Sequence, residues 1–427
     1  MDRRTFLTQA ALASSTIALK DVTGHLHSPA DVPDWEAIRA EFNTRPENIN
    51  MAAFYLASHP KPVREAIDQH RRLLDACTIT DIDDNMRLYE ADTRSAIVAY
   101  FGGTENDYAV TGSTTMGLGT VYCGLNFRAS DEVLSTVHDH YSTSSSLKFA
   151  SERAGFSLRN ISLYADSASA TLEEILTSLR SNIRPETRLI AITWVHSSTG
   201  VKLPISKISM MVKNINEQRH ADNQLMLAVD GVHGFGIENT TIEELGCDFF
   251  ISGCHKWIFG PRGTGLIYGT PAAWAITSPT IPSFDAIWRG DAGARTPAAM
   301  MTPGGFHAFE HMWALRAAFQ MHLRIGKQNV YERTLKLNQD LKEALVRMPH
   351  VRLYTPLAKE LSAGMVCFDV VGLEPAKVVA KLRSMNVIAS QTPYNTSYAR
   401  VSASLLNNDS DIERTISAVR KLAIEHV

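Results

Sequence analysis

Apolar residues in this chain gather into short dense runs, with helically spaced stretches between them. The runs "DEVLSTVH" (131–138), "RLIAITWVH" (188–196), "LMLAVDG" (225–231), "CDFFISG" (247–253) and "TGLIYG" (264–269) are apolar over most of their length. Short runs rich in β-branched and aromatic residues predict strands buried on both faces. Between them, "TLEEILTSLRSN" (171–182) and "KISMMVKNINEQ" (207–218) repeat apolar positions at helical intervals. That alternation predicts an α/β protein with a mostly parallel sheet covered on both faces. The stretch 283–306, "SFDAIWRGDAGARTPAAMMTPGGF", breaks the alternation and reads as an active-site loop or a boundary. After it come long helical patterns and a second α+β unit. That unit has strands in "AGMVCFDV" (363–370) and "YARVSAS" (398–404), a helix in "EPAKVVAKLRSM" (374–385) and a last helix from about Ser410. The expected organisation is a large domain over 26–306, then a linking helix and small C-terminal domain over 307–427.

The first residues follow another pattern. Arg3 and Arg4 precede Phe6 and Leu7, and no charge occurs from Thr5 to Leu19. A basic start followed by a short apolar run is the pattern of an export signal. The paired arginines resemble a twin-arginine address for folded cargo, so residues 1–25 predict passage through that machinery to a periplasm. The uncharged run is shorter than the roughly 20 residues that span a bilayer, so no stable membrane insertion is expected. Composition adds little: 44% apolar, 20% charged and a net charge of −3 describe a globular chain without the basic surplus that nucleic acid attracts. Five scattered cysteines, with no CxxC pair, suit neither a disulfide framework nor a cysteine-rich zinc site.

Three segments carry candidate chemistry. "TGSTTMGLG" (111–119) places hydroxyls and glycines before a helical pattern, where backbone N–H groups can receive a phosphate. It is neither a Walker A loop nor GxGxxG, and by itself it reads first as a plain helix cap. Asp230 ends "LMLAVD", and a carboxylate at the end of a buried strand requires a partner such as a protonated ring nitrogen, or else is a turn aspartate. Lys256 stands in "SGCHKWIFGPRGTG" (252–265), between an apolar strand and a glycine-rich turn. It either snorkels to water or is a desolvated amine able to attack carbonyls.

Taken in order, the hydroxyl loop, strand-end Asp230 and "SGCHK" resemble the class V aminotransferase family. Its members are pyridoxal-phosphate (PLP) enzymes of fold type I, the aspartate-aminotransferase-like fold, and include cysteine desulfurases and isopenicillin N epimerase-like proteins. The resemblance runs from about residue 45 to the end. It implies Lys256 as the Schiff-base lysine, Asp230 on the pyridinium nitrogen, and Ser113 and Thr114 on the phosphate with Ser252 and His255 as neighbours. It also implies His138 stacked on the cofactor ring, with His140 and Tyr141 as alternatives. His233 and Ser197 stand where many relatives have glutamine and asparagine, and Gly253 lacks a hydroxyl that some carry. Arg400, in "YARVSAS", matches the family's carboxylate-binding arginine, suited to a planar bidentate grip. A homodimer is also implied.

Desulfurases need a mobile cysteine shortly before that arginine. Residues 386–400, "NVIASQTPYNTSYAR", contain none, so desulfuration is not the expected reaction. "VDGVHGFG", "CHKWIFGPRGTG" and "TPGGFHAFEH" are most similar to periplasmic PLP enzymes that tailor the siderophore pyoverdine. The expected activity is therefore transaminase-type chemistry on an amino acid or on a glutamate residue of a siderophore precursor. An epimerase-like racemisation is the alternative. A remote alternative is a zinc peptidase, because "HAFEH" fits H-x-x-E-H through His307, Glu310 and His311.

Overall fold

The computed structural model describes residues 33–284 and 296–422. The expected export signal and residues 285–295 of the 283–306 stretch lie outside them. Seven strands form the large sheet: β1 (Tyr108–Thr111), β2 (Glu132–Thr136), β3 (Ser157–Ile161), β4 (Thr187–Thr193), β5 (Met226–Asp230), β6 (Phe249–Gly253) and β7 (Gly265–Gly269). Their spatial order is β1-β7-β6-β5-β4-β2-β3. Only β7 runs against its neighbours, β1 and β6.

Alternation along the strands explains why they read as continuous apolar runs. Phe249 and Ile251 pack on one face of the sheet, with Leu118, Val121 and Leu147. Phe250 packs on the other, with Ile192, Val229 and Phe319. Both faces are buried, so both sets of alternating positions are mostly apolar. The helices covering the sheet include α1 (Lys61–Phe101), α2 (Thr114–Cys123), α3 (Tyr141–Ala154), α4 (Leu172–Asn182), α5 (Ile205–Asn216) and α6 (Phe309–Ile325). Helix α1 is kinked at Cys77, whose φ of −144° and ψ of 47° interrupt its hydrogen-bond ladder. No described helix is long and apolar enough to cross a membrane.

After α7 (Lys327–Leu345), a smaller antiparallel sheet follows, in the order β10-β11-β9-β8. It contains β8 (Val351–Leu353), β9 (Val366–Val370), β10 (Ser390–Gln391) and β11 (Ala399–Val401). Helices α8 (Pro375–Ser384) and α9 (Asp409–Lys421) cover it. Its core takes in Ile49 and Met51 from the start of the chain, where Ile49–Asn50 pair in parallel with Val387–Ile388.

Candidate active site

The C-terminal ends of the parallel strands converge on one cavity, the place where open α/β sheets bind ligands. Registry sets Thr193 beside Asp230, and Asp230 beside Ile251. Gly231, just past Asp230, allows this closeness, because a Cβ there would lie 2.0 Å from Phe250 Cζ. After β6 the chain turns through Cys254 to Ile258 and brings Lys256 to the cavity wall. Phe259 closes that turn in the left-handed region, φ 57°, held by burial against Phe42. A bulky residue adopts this conformation only where its surroundings fix it.

Lys256 lines the cavity. Desolvation lowers its pKa, Asp230 pulls it back up and Arg400 pushes it further down. Burial raises the pKa of Asp230, while the Val232 N–H and the Lys256 charge oppose the rise. Lys256 Nζ lies 3.2 Å from His233 Nε2, and Trp257 Nε1 donates to His233 Nδ1 at 3.3 Å. Burial first, then Lys256, holds His233 well below the usual imidazole range, so its ring is neutral. With Nδ1 accepting from the indole, the ring proton resides on Nε2, facing the amine.

The opposite part of the wall suits an anion. The motif 111–119 is itself the start of α2, which begins at Thr114. Ser113 caps the helix, accepting from Met116 N at 3.1 Å. The first-turn N–H groups of Thr114 and Thr115 have no intrahelical acceptor and add to the helix dipole. Thr114 Oγ1 accepts from Gly253 N at 2.8 Å, locking α2 to the end of β6. A Cβ on Gly253 would lie 2.8 Å from His255 Cε1 and 3.0 Å from Thr114 Oγ1, which accounts for the missing hydroxyl. Buried His255 Nδ1 has no partner among the described residues.

Two expected residues stand elsewhere. His138 does not face the cavity. Its ring stacks on Tyr164 (4.0 Å, 15°), and its Nε2 accepts from Leu163 N at 3.1 Å. His140 faces the cavity instead, with its Nδ1 accepting from Ser142 N at the start of α3. Tyr141 packs against His140 but is largely exposed. Ser252 lies on the sheet face shared by Phe250, away from α2, and its hydroxyl donates to Gly253 O at 3.0 Å. Alternation along β6 dictates that side.

The structure also brings in residues the sequence did not single out. Thr115, Ser142, Thr193 and Val232 line the cavity. Asp139, fully buried, accepts from Thr136 N (2.8 Å), Thr136 Oγ1 (2.7 Å), Ser135 Oγ (3.1 Å) and Thr193 N (2.7 Å). It ties the ends of β2 and β4 together and fixes the loop presenting His140. Between two histidines, it offered no sequence signal of its own.

Arg400 is buried and points three donors at fixed acceptors: Ser197 O (3.0 Å), Gln391 O (3.1 Å) and Ser390 Oγ (3.2 Å). It borders a second, more open groove that includes Tyr55, Leu56, Ile388 and Pro393, while Ser197 lines the cavity itself.

The zinc alternative fails on geometry. Helix α6 begins at Phe309, after His307, so the two histidines do not share a helical face. His311 Nδ1 meets Arg262 O at 2.8 Å, and among the described residues no cluster of His, Cys, Asp or Glu could hold a metal.

The sequence model of the family "Aminotransferase class-V" matches residues 70–414. The chain belongs to the class-V aminotransferase family. Among curated proteins, isopenicillin N epimerase of Streptomyces clavuligerus is 24% identical, over 92% of this chain and 100% of its own. A probable cysteine desulfurase of Xylella fastidiosa is 23% identical, over 92% and 97%. Solved structures share the PLP fold type I architecture. The cystine C–S lyase C-DES, in complex with its product cysteine persulfide, has a TM-score of 0.78 at 21% identity, covering 88% of this chain and 98% of that one. A cysteine desulfurase from Thermococcus onnurineus gives 0.78 at 20%, covering 93% and 100%.

The family's cofactor is pyridoxal 5'-phosphate, and the class-V site fits it. Ser113, Thr114, Thr115 and His255, which line one part of the cavity, are the residues that would hold its phosphate. Asp230 offers a carboxylate to a protonated ring nitrogen, and Lys256 offers the amine.

Proposed function

We propose that the chain is a PLP-dependent transaminase-type enzyme acting on the amino group of an amino acid. Its preferred substrate is a glutamate residue carried by a siderophore precursor of the pyoverdine type. The observation that carries the transaminase reading is the contrast between Lys256 and the imidazoles around it. Bound PLP supplies an electron sink for charge developing at the substrate Cα. Asp230 holds the positive ring partner that makes the sink effective. Lys256, partly neutral because it is desolvated, is equipped to take a proton and give it back. His233 orients that amine. His140, His233 and His255 are all held below the ordinary imidazole range, by burial first and Lys256 next. That weakens each of them as a second base for epimerisation. No thiol stands in 386–400, and Cys367 is buried in β9.

The siderophore substrate rests on the resemblance of "VDGVHGFG" and "TPGGFHAFEH" to the pyoverdine-tailoring branch. The open groove beside Arg400 leaves room for a substrate larger than a free amino acid. Export to a periplasm through twin-arginine machinery rests on Arg3 and Arg4. Homodimerisation is supported by exposed apolar side chains of Met116, Val137, Tyr141 and Phe149 on α2, α3 and the loop before α3. An active monomer in sedimentation would contradict it.

The test is incubation of the PLP-loaded enzyme with glutamate-bearing siderophore precursor, with product read by mass and chiral analysis. Replacement of the amine by a carbonyl supports the proposal. An unchanged mass with inverted Cα favours the epimerase reading, which the isopenicillin N epimerase relative makes the natural second choice. Conversion of free amino acids alone would remove the siderophore.

A further inference from the structure

The hairpin that carries Arg400 also carries Tyr394. Its turn is braced internally. Thr392 N donates to Tyr398 O (2.9 Å), Tyr398 N to Thr392 Oγ1 (2.9 Å) and Ser397 Oγ to Thr392 O (2.7 Å). From this turn the Tyr394 hydroxyl reaches Ser197 Oγ, and its ring stands edge-on to His140, 6.2 Å away at 87°. Arg400 reaches the carbonyl of the same Ser197. Two side chains of one hairpin therefore converge on a single residue of the cavity wall.

Their chemistry is complementary. Arg400 has spent three of its five N–H groups and keeps two. Burial pushes the Tyr394 phenol up to about 12, against the pull of Ser197 and Arg400, so it is a hydrogen-bond donor near neutral pH. Its bond to Ser197 joins two neutral hydroxyls. A bond to an anion is charge-assisted and stronger, so a carboxylate arriving at Arg400 can take the phenol from the serine. A carboxylate has acceptor sites for both donors.

We infer that Tyr394 is a substrate-binding residue that donates to the substrate carboxylate beside Arg400 and selects for acids over their amides. This rests on the reading of the cavity as an amino-acid site. It adds a specificity residue in the stretch where a desulfurase would carry its thiol.

Calorimetric binding of glutarate and of glutaramide to PLP-loaded wild type, Tyr394→Phe and Ser197→Ala tests it. Tyr394→Phe removes one hydroxyl and should weaken glutarate roughly tenfold, the loss typical of one hydrogen bond to a charged group. Glutaramide binding should hardly change. Ser197→Ala removes the competing hydrogen-bond partner of Tyr394 and should leave glutarate binding equal or tighter. In turnover, Tyr394→Phe should raise KM while kcat stays within a few-fold. Wild-type glutarate affinity in Tyr394→Phe, or equal losses for glutarate and glutaramide, would overturn the inference. The visible absorption of the loaded protein is read in parallel. A protein without that band that still shows the glutarate effect would overturn the cofactor reading and keep the carboxylate site.

Discussion

Lys256 Nζ and His233 Nε2 stand 3.2 Å apart, and the far nitrogen of the same imidazole is held by the Trp257 indole. The reactive amine thus faces a ring whose proton position is fixed by the residue next to it in sequence. A glutamine at this position could donate there too, but its orientation would not be set by an indole. Trp257 is wedged by contacts that need glycine, because a Cβ on Gly364 would lie 2.5 Å from its ring.

Trp257→Phe keeps the ring packing and removes the donor. His233 should then populate both neutral tautomers, visible as a change in its imidazole 15N shifts. Activity should fall about fivefold, the scale of one lost neutral hydrogen bond. Unchanged shifts would show that the indole does not set the tautomer.

The charges around Lys256 predict a pH effect with a definite sign. Desolvation lowers the amine's pKa and Asp230 raises it. Loading of apoprotein with PLP requires the free amine, so its rate should rise with pH through a midpoint below the ordinary lysine value of about 10.4. Asp230→Asn removes the charge that favours the ammonium, so the midpoint should move to lower pH. Catalysis should nonetheless fall by roughly a hundredfold or more, because the ring loses its counter-charge. A midpoint shifted upward in Asp230→Asn would contradict this electrostatic picture.

Asp139 is acceptor-only toward four donors. Asp139→Asn turns one oxygen into a donor facing donors, which should cost about 2–4 kcal/mol. A thermal melt should show it, alongside weaker PLP retention as the His140 loop loosens. A melting temperature within a degree of wild type would show that the loop is held by other contacts.

Much of this architecture was legible in the sequence because both sheet faces are buried. The apolar runs at 188–196, 225–231, 247–253 and 264–269 coincide with β4 to β7. Strand β3 was missed because its pattern is polar: "SLRNI" is an outer strand with two exposed positions. Helix α1 was missed because its middle is exposed and its apolar face weak. At the site, Asp230, Lys256 and His233 are neighbours in space because strand ends adjoin, which motif order already implied. His138 against His140 could not be decided that way. Two residues along a loop reverse the side chain's direction, and the deciding contact is Tyr164, on the loop after β3. Tyr394 lies on a polar turn, and its reach to Ser197 depends on the packing of the hairpin.

The most direct test of the account is an absorption spectrum of the purified protein beside Lys256→Ala, followed by borohydride reduction and peptide mapping. The account predicts a visible band in the wild type that reduction abolishes, with the reduced PLP label on Lys256 and no such band in the variant. A wild type that stays colourless with added PLP, or a label on another lysine, would contradict it.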